Sequence, residues 1–473
     1  MIERYTLPEV EKFLEKNNPS AALERLKKIL YEENFSDEWK IHELIGACFH
    51  DLANAEGATQ AYLNAAQTDK ILRSQRMHFS NYLFALHYLN VDKKILFENA
   101  KIYNSLYRDQ KIFSKKFKTP DSKIHIAFIS PHFLDSSAAR FFESLLTNYD
   151  REKFFVSVWS LSSREDEFTK KIRRSVDKFF DVSEISFEET AQKIFSEGAD
   201  FLFDLGGHTD GGETLQILSY KPAKIQISGI SYFDTTGTNF VDYFLADDFL
   251  IDGNENYFTE KILTLKNAFA FTPNEKMIQA KKNLRKFPHK NFTFGSLNNF
   301  MKISDEYLYC VKKILDEVPN SKIIFRDTTP LESRKKVLEE KILSAGIKNF
   351  EVRTGEDNFF GDYSEIDLIL DTFPYTGGMM TALAVYFEVP VINLCGEKFH
   401  SRIGADILKI CELENFIVKN KSDYIKKAVE FSKNPAVKFD LKNLLDGKSF
   451  AEDFYEKILT VKLELFHGRF INF

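Results

Sequence analysis

Three glycine-bearing segments carry the residues best suited to chemistry, and each follows an apolar run that reads as a strand. Residues 204–212 (DLGGHTDGG) hold four glycines that permit close backbone approach to a ligand, and His208, a side chain able to exchange a proton near neutral pH. A loop histidine serves a structural hydrogen bond as readily, so both roles stay open. Residues 295–302 (GSLNNFMK) end on Lys302, which could set a point charge on a phosphate while Asn298 or Asn299 supplies amide hydrogen bonds. Residues 371–381 (DTFPYTGGMMT) run from Asp371 and Thr372 through Pro374 and the Gly377–Gly378 pair into an apolar helix that begins with Met379, Met380 and Thr381. Glycines leading into a helix start leave a cluster of free N–H groups, the arrangement that cradles a diphosphate. A plain turn into a core helix fits the same residues. No G-K-[ST] follows, so this is not a Walker A loop, and the G-x-G-x-x-G fingerprint is absent.

The elements that must position these segments alternate between strands and helices. Strands are expected at 123–130, 154–161 and 201–205, with helices at 138–147 and 188–197. A second series has strands at 292–296, 322–325, 368–371 and 391–394, with helices at 305–317, 331–344 and 379–387. Near-continuous apolar strands in such alternation make parallel sheets covered on both faces, whose ligands bind beyond the carboxyl ends of the strands. Two doubly wound lobes are expected, joined by a charged linker at 271–289 containing Pro273 and Pro288. Two phosphate-compatible loops in the second lobe and a histidine loop in the first, facing one cleft, suit transfer of a group from a diphosphate-linked donor.

Residues 9–107 read as helical throughout. Ile45, Gly46, Phe49, Ala58, Tyr62 and Ala65 fall at the small–large offsets of one tetratricopeptide helix pair, although an ordinary helical hairpin meets the same pattern. A polar stretch at 116–122 with Pro120 marks a boundary. The expected divisions are a helical domain at 1–115, an acceptor-side lobe at 121–275, a donor-side lobe at 285–450, and a C-terminal helix and tail at 451–473.

The chain of 473 residues carries 64 Lys and Arg against 70 Asp and Glu, a formal charge of -6 that argues against a nucleic-acid phosphate track. The local run Lys281, Lys282, Arg285, Lys286 suits a solvated helix face. Aromatic residues make up 14%, 47 of them Phe, which implies thick aromatic cores or apolar clefts. Cys48, Cys310, Cys395 and Cys411 show neither C-x-x-C nor metal-ligand spacing, so buried reduced thiols are expected. The opening residues MIERYTLPEV have no signal-peptide pattern and no stretch has membrane-spanning length, from which a soluble cytoplasmic protein is expected.

At these residues the sequence resembles the family of O-linked N-acetylglucosamine transferases, SPINDLY-like plant fucosyltransferase relatives and bacterial protein N-glucosyltransferases. The matching text runs from about Ser80 to Leu408. It includes SNYLFALHY, DLGGHT, KPAKIQISGISYFDTTGTNFVDY, GSLNNFMKI, VPNSKIIFRD, DTFPYTGG, VPVINLCGE and HSRIGADIL in the family's order. The resemblance implies an α/β protein of the GT-B fold, with two doubly wound Rossmann-like lobes behind an all-α tetratricopeptide-like segment. It implies a bacterial, inverting protein glycosyltransferase that moves N-acetylglucosamine, glucose or a similar sugar from a nucleotide-diphosphate donor, UDP-linked by expectation, to Ser, Thr or Asn.

Carried over by position, Lys302 would stabilise the diphosphate leaving group beside Asn299, and His208 would be the foremost catalytic histidine, with His132 next. Asp371, Thr372, Gly377, Gly378, Met379, Met380 and Thr381 would line the donor side. His132, Ser136, Gly207, Tyr232 and Thr236 would line the acceptor-side cleft, with Thr235, Thr236 and Gly237 in a turn near the sugar. No metal or other cofactor is expected, because Lys302 and helix-end amides would replace a divalent cation. The partners would be a nucleotide sugar and an acceptor protein such as an adhesin, flagellin or other surface protein, with no nucleic acid.

The sequence departs from the family pattern at several functional positions. Ser136 stands where a His is usual, and Met379 and Met380 where Thr-Thr donates to phosphates. Leu383 replaces an acidic ribose ligand, and Phe359 a His beside the base. Lost hydrogen bonds to charged groups are worth about 1.5–3 kcal/mol each, so a non-catalytic, protein-binding relative with an eroded donor pocket is the alternative. A transferase acting on lipid or polysaccharide is a third.

Overall fold

The structure, a computed structural model, describes residues 7–32, 37–113, 123–284 and 291–467. The polar boundary expected at 116–122, and Arg285, Lys286, Pro288 and His289 of the expected linker, lie outside the described residues. Two compact units form, one from Lys93–Asn274 with Leu441–Phe473, the other from Met1–Asp92 with Glu275–Asp440.

The first unit is built on a seven-stranded parallel sheet in the order β3-β2-β1-β4-β5-β6-β7. Its strands are β1 (Ile124–Ser130), β2 (Phe154–Ser160), β3 (Lys178–Asp181), β4 (Phe201–Asp204), β5 (Ile225–Ser228), β6 (Tyr243–Asp247) and β7 (Lys261–Leu265). Every residue of β1 is buried, which is why IHIAFIS reads as an unbroken apolar run. The phenylalanine-rich composition is spent here: Phe454 of the C-terminal helix Gly447–His467 stacks on Phe203 and meets Phe128. Tyr455 of that helix donates to the carbonyl of Leu145 at 2.6 Å.

The second unit carries a six-stranded parallel sheet in the order β10-β9-β8-β11-β12-β13. These strands are β8 (Thr293–Ser296), β9 (Lys322–Asp327), β10 (Phe350–Thr354), β11 (Leu368–Leu370), β12 (Val391–Leu394) and β13 (Ile417–Val418). In each sheet the strand order reverses once, between β1 and β4 and between β8 and β11. Ligand crevices of doubly wound sheets open at that switch point, and all three glycine-bearing segments leave strands there.

Helices Leu7–Glu15, Pro19–Glu32, Glu38–Asp51, Ala55–Thr68, Leu72–Leu86 and Lys93–Asn104 bear out the helical reading of the N-terminal region. The small residues have the packing role their offsets implied. A Cβ on Gly46 would lie 2.6 Å from the Tyr62 ring, and one on Gly57 2.6 Å from the Phe49 ring. The compact units cut across the expected segments, because the first five helices group with the second sheet and Lys93–Asn104 with the first. No helix among the described residues is long and apolar enough to cross a membrane.

The expected linker is corrected in part. Residues Glu275–Asn283 form an amphipathic helix that buries Met277, and Lys281 lies 3.2 Å from Glu388 and over the Tyr386 ring. Short strands β3, β5, β6, β7, β10 and β13 were not expected. Of these, β3, β10 and β13 have few fully buried positions, so they lack the apolar run that betrays a central strand. The four cysteines are free, with Cys48, Cys310 and Cys411 buried and Cys395 only partly so. Burial pushes the Cys48 and Cys411 thiols up to about 12 and Cys310 to about 11, which leaves them inert.

Candidate functional site

In the second unit the switch point is organised by one carboxylate. Asp371 follows β11 and is 1% exposed. Its Oδ1 accepts from Asn298 Nδ2 at 3.0 Å, Thr372 N at 2.9 Å and Gly377 N at 2.8 Å. Its Oδ2 accepts from Asn393 Nδ2 at 2.8 Å and Thr381 Oγ1 at 3.2 Å. Burial raises the pKa of this group, opposed by those bonds and by the charge of Lys302. Asp371, Thr372 and Thr381 are therefore turned inward, holding the loop in shape, where the sequence suggested donor contacts.

What the loop presents is a helix start. Gly378 precedes the helix Met379–Tyr386, no side chain caps it, and the first intrahelical bond is Ala382 N to Gly378 O. The amides of Met379, Met380 and Thr381 thus precede the helical ladder, at the positive end of the helix dipole. The Met379 and Met380 side chains are half-buried, while Leu383 is 1% exposed and belongs to the core. Lys302, on the turn after β8, donates from Nζ to the carbonyl of Thr376 at 2.8 Å and lies 3.6 Å from the centre of the Tyr375 ring. Burial lowers its pKa to about 8, with Asp371 pulling the other way. The ammonium and the helix start therefore share the loop 371–381. Thr376 is held in turn by the carbonyl of His400. Asn299 faces elsewhere, its Oδ1 accepting from Met301 N and from Arg334. Phe359, on the loop after β10, packs on the Phe360 and Tyr363 rings.

A second buried carboxylate shapes the switch point of the first unit. Asp204, the last residue of β4, accepts from Gly206 N at 2.8 Å, Gly207 N at 3.0 Å and Ser228 Oγ at 2.9 Å. Gly207 has φ +59°, and a Cβ there would lie 2.4 Å from Tyr232 Cβ, so the pair is fixed by conformation and by space. The chain then turns inward. His208 is fully buried, its ring edge-on to Tyr103 and Tyr232, its Nε2 3.0 Å from the carbonyl of Thr236. Tyr232 is buried as well, with its hydroxyl pKa pushed well up by burial. Thr235 and Thr236 belong to a turn tied to Glu260, which accepts from Thr235 Oγ1 at 2.6 Å and Thr236 N at 2.8 Å.

Of the two candidate histidines, His132, just past β1, is the one that reaches solvent. Its Nε2 lies 3.1 Å from Thr209 Oγ1 and 3.2 Å from Asp210 Oδ2, with the imidazole 26% exposed. Burial lowers its pKa, with Asp210 and then Asp204 opposing, so the neutral imidazole is favoured. Asp210 sits at φ +45° and is exposed. Ser136 donates to the carbonyl of His132 at 3.3 Å and accepts from Ala139 N at the start of the following helix. The structure thus brings together His132, Thr209 and Asp210, and places His208, Tyr232 and Thr236 in the core behind them. Sequence reasoning missed Asp204, Glu260, Asn393 and Arg334, all of them buried polar groups that organise loops. Nothing local distinguishes Glu260 and Asn393, whose partners lie more than twenty residues away, or the Arg334 contacts to Asn299 and His50; the bonds from Asp204 to Gly206 and Gly207 are local and were overlooked.

The model of glycosyl transferase family 41 matches residues 94–285 and 263–455, well over half of the chain. The chain belongs to glycosyl transferase family 41. It is 27% identical over 383 residues to the probable UDP-N-acetylglucosamine–peptide N-acetylglucosaminyltransferase SPINDLY of Solanum lycopersicum, covering 77% of this chain and 40% of that one. The Arabidopsis thaliana SPINDLY is 28% identical over 401 residues, covering 80% and 43%. The chain therefore spans about two fifths of the length of these curated relatives. An O-GlcNAc transferase mutant of Thermobaculum terrenum superimposes with a TM-score of 0.81 at 21% identity, covering 93% of this chain and 87% of that one. That likeness shows the fold: two Rossmann-like lobes with a helical N-terminal segment, as the sequence led us to expect.

Proposed function

We propose that this family member is an inverting glycosyltransferase that moves a sugar from a nucleotide diphosphate to a protein side chain. The observation that carries the reading is the loop 371–381, on which Lys302 Nζ and the open helix start after Gly378 both converge through Thr376 and Gly377. A diphosphate leaving there gains negative charge, and fixed N–H dipoles with one ammonium stabilise it without reorganising. That division of labour calls for no divalent cation. On the acceptor side a Ser or Thr hydroxyl, or an Asn amide, attacks the anomeric carbon. The bond from that carbon to the diphosphate oxygen breaks with inversion, its electron pair stays on the diphosphate, and the acceptor proton passes to His132.

His132 takes this role in place of His208 because its imidazole is 26% exposed where His208 is fully buried, and because it has a carboxylate, Asp210, to steady the imidazolium. The SPINDLY relatives, whose name specifies a UDP-N-acetylglucosamine donor and a peptide acceptor, support UDP-N-acetylglucosamine as the first donor to try. Four free cysteines suit a reducing compartment such as the cytoplasm.

A second reading has its own observation. Met379 and Met380 put thioethers on the first helical turn, and Leu383 is buried, so the chain offers the donor no hydroxyl or carboxylate there. A protein-binding subunit without transfer would need neither. Calorimetry with UDP and GDP, then a panel of nucleotide sugars followed by intact mass of acceptor proteins, separates the two. Transfer is supported by UDP binding near micromolar, about -8 kcal/mol, weakened about tenfold or more by Lys302→Ala. A protein that neither hydrolyses nor transfers any donor, and whose nucleotide affinity ignores Lys302→Ala, is not a transferase.

A further inference from the structure

The guanidinium of Arg334 is 1% exposed and reaches three separate parts of the second unit. It sits in the first turn of helix Glu332–Ser344, and Nε donates to Asp327 Oδ2 at 2.8 Å. Nη2 donates to Asn299 Oδ1 at 2.5 Å, and Nη1 to the carbonyl of His50 at 2.7 Å, with the carbonyl of Asp51 at 3.4 Å. His50 and Asp51 end the helix Glu38–Asp51, where the dipole is negative; the carbonyl of His50 also accepts from Ala53 N at 3.0 Å, so Arg334 is its second donor. A buried cation is well placed at that end. The other two arms close on the turn that carries Lys302: Asp327 accepts from Phe300 N at 2.7 Å, and Asn299 Oδ1 from Met301 N at 2.8 Å.

A second set of contacts joins the same parts. Tyr88 packs on Tyr375, the ring beneath Lys302, with centroids 5.3 Å apart. His87 is edge-on to His400, whose carbonyl holds Thr376. Lys398 donates to the carbonyl of Val91 at 2.8 Å. Residues 50–51 and 87–91 of the helical segment therefore back both the lysine turn and the loop 371–381.

We infer that the helical segment is a working part of the donor site, with Arg334 a positioning residue that clamps Asn299 and the turn Phe300–Lys302 to the carboxyl end of helix Glu38–Asp51. The inference rests on the donor-loop reading above and adds to it a thermodynamic consequence. What holds the turn in its binding-competent form also holds the helix, so a nucleotide on the loop and order in the helical hairpin must favour one another. Removing residues of the segment would then damage donor binding as well as any docking of an acceptor.

Amide hydrogen exchange on the full chain tests this in two arms. Without nucleotide, Arg334→Met is expected to speed exchange at Met301 and in the last turn of helix Glu38–Asp51 by about tenfold or more, with β1, β4 and β5 unchanged. Arg334→Lys is expected not to restore it, since one ammonium cannot span three acceptors in a fixed fork. Should Arg334→Met lose its fold, Asn299→Ala removes the acceptor of both Arg334 Nη2 and Met301 N, so the amide to read is that of Lys302, whose own bond to the Asn299 carbonyl survives the substitution; it is expected to exchange faster without release of His50. Unchanged exchange at Met301 in Arg334→Met, or at Lys302 in Asn299→Ala, overturns the clamp.

In the second arm, saturating UDP is expected to slow exchange in helices Glu38–Asp51 and Ala55–Thr68 of the unmodified protein, and to bind Arg334→Met about tenfold more weakly. UDP that protects residues 293–302 and 371–386 but leaves both helices untouched overturns the coupling. If UDP binds neither protein, the donor reading itself fails, and the first arm still decides whether Arg334 clamps the turn.

Discussion

Asp204 and Asp371 stand at the same point in two sheets of the same strand order, each at the end of the fourth strand, each buried, each accepting from the amide of a glycine pair that follows. The device is shared and its outcome is opposite. In the first unit the accepted amides come two and three residues on, so the loop closes tightly and drives His208 in against Tyr103 and Tyr232. In the second the accepted glycine comes six residues on, past Pro374, and the chain emerges into an uncapped helix beside an ammonium. A buried carboxylate thus fixes a loop without deciding what the loop offers. The spacing to its glycine does that.

The sharpest way to break this comparison is to remove the two carboxylates in turn. Asp371→Ala strands donors from Gly377, Asn298 and Asn393, at about 1–3 kcal/mol for each donor left buried. It is expected to cost most of the stability of the second unit and all measurable UDP binding, by urea unfolding and calorimetry. Asp204→Ala is expected to destabilise the first unit while leaving UDP affinity unaltered. Equal losses of affinity would show that the two loops are not functionally distinct.

The paired histidines come next. His132→Gln is expected to lower sugar transfer by about 10²–10⁴-fold, the usual share of a general base, with unfolding free energy little changed. His208→Gln is expected to lower stability by about 1–3 kcal/mol through its lost bond to Thr236 and its aromatic packing, with a smaller effect on turnover in the folded fraction. The reverse pattern would restore His208 as the base.

Lys302 supplies a pH test. Its folded pKa of about 8 lies below the ordinary 10.5, so the buried ammonium costs stability at neutral pH. Between pH 8 and 10.5 the unfolded chain binds the extra proton. Stability relative to Lys302→Met is therefore expected to rise with pH across that window, by up to about 1.4 kcal/mol per pH unit. Donor turnover, which needs the ammonium, is expected to fall over the same range. A difference between the two proteins that stays flat from pH 7 to 10.5 would place Lys302 in solvent.

The smallest effect sharpens the comparison most. Gly207→Ala meets Tyr232 Cβ at 2.4 Å from a left-handed backbone, and is expected to destabilise by more than about 1 kcal/mol. Gly378→Ala is expected to stay under about 1 kcal/mol, because its backbone is not left-handed (φ -107°) and its nearest neighbour, Ile403 Cγ2, is 3.4 Å away. Differential scanning calorimetry of both variants checks the pair.

Much of this was legible without coordinates. Runs such as 123–130 and 322–325 declared buried parallel strands because both faces need apolar cover, and the glycine-bearing segments declared themselves by following such strands. The helix–helix approach at Gly46 was readable from small residues at fixed offsets. The edge strands β3, β10 and β13 were not, since partial exposure removes the period that marks a strand. The linker reading missed one helix for a related reason: Glu275–Asn283 is polar on all but a narrow face, and Met277 alone hardly signals burial.

Residue order by itself determined that two doubly wound sheets form, that their loops carry a histidine, a lysine and a glycine-led helix start, and that the chain is a kinsman of family 41. Which side chains those loops present was settled only by folding. His208 and Leu383 went inward, His132 was left at the surface, and Arg334 tied a helical hairpin to the lysine turn, because each outcome depends on partners distant in sequence. Local patterns report the period of burial along a chain; they carry no record of which buried donor will find which acceptor across it.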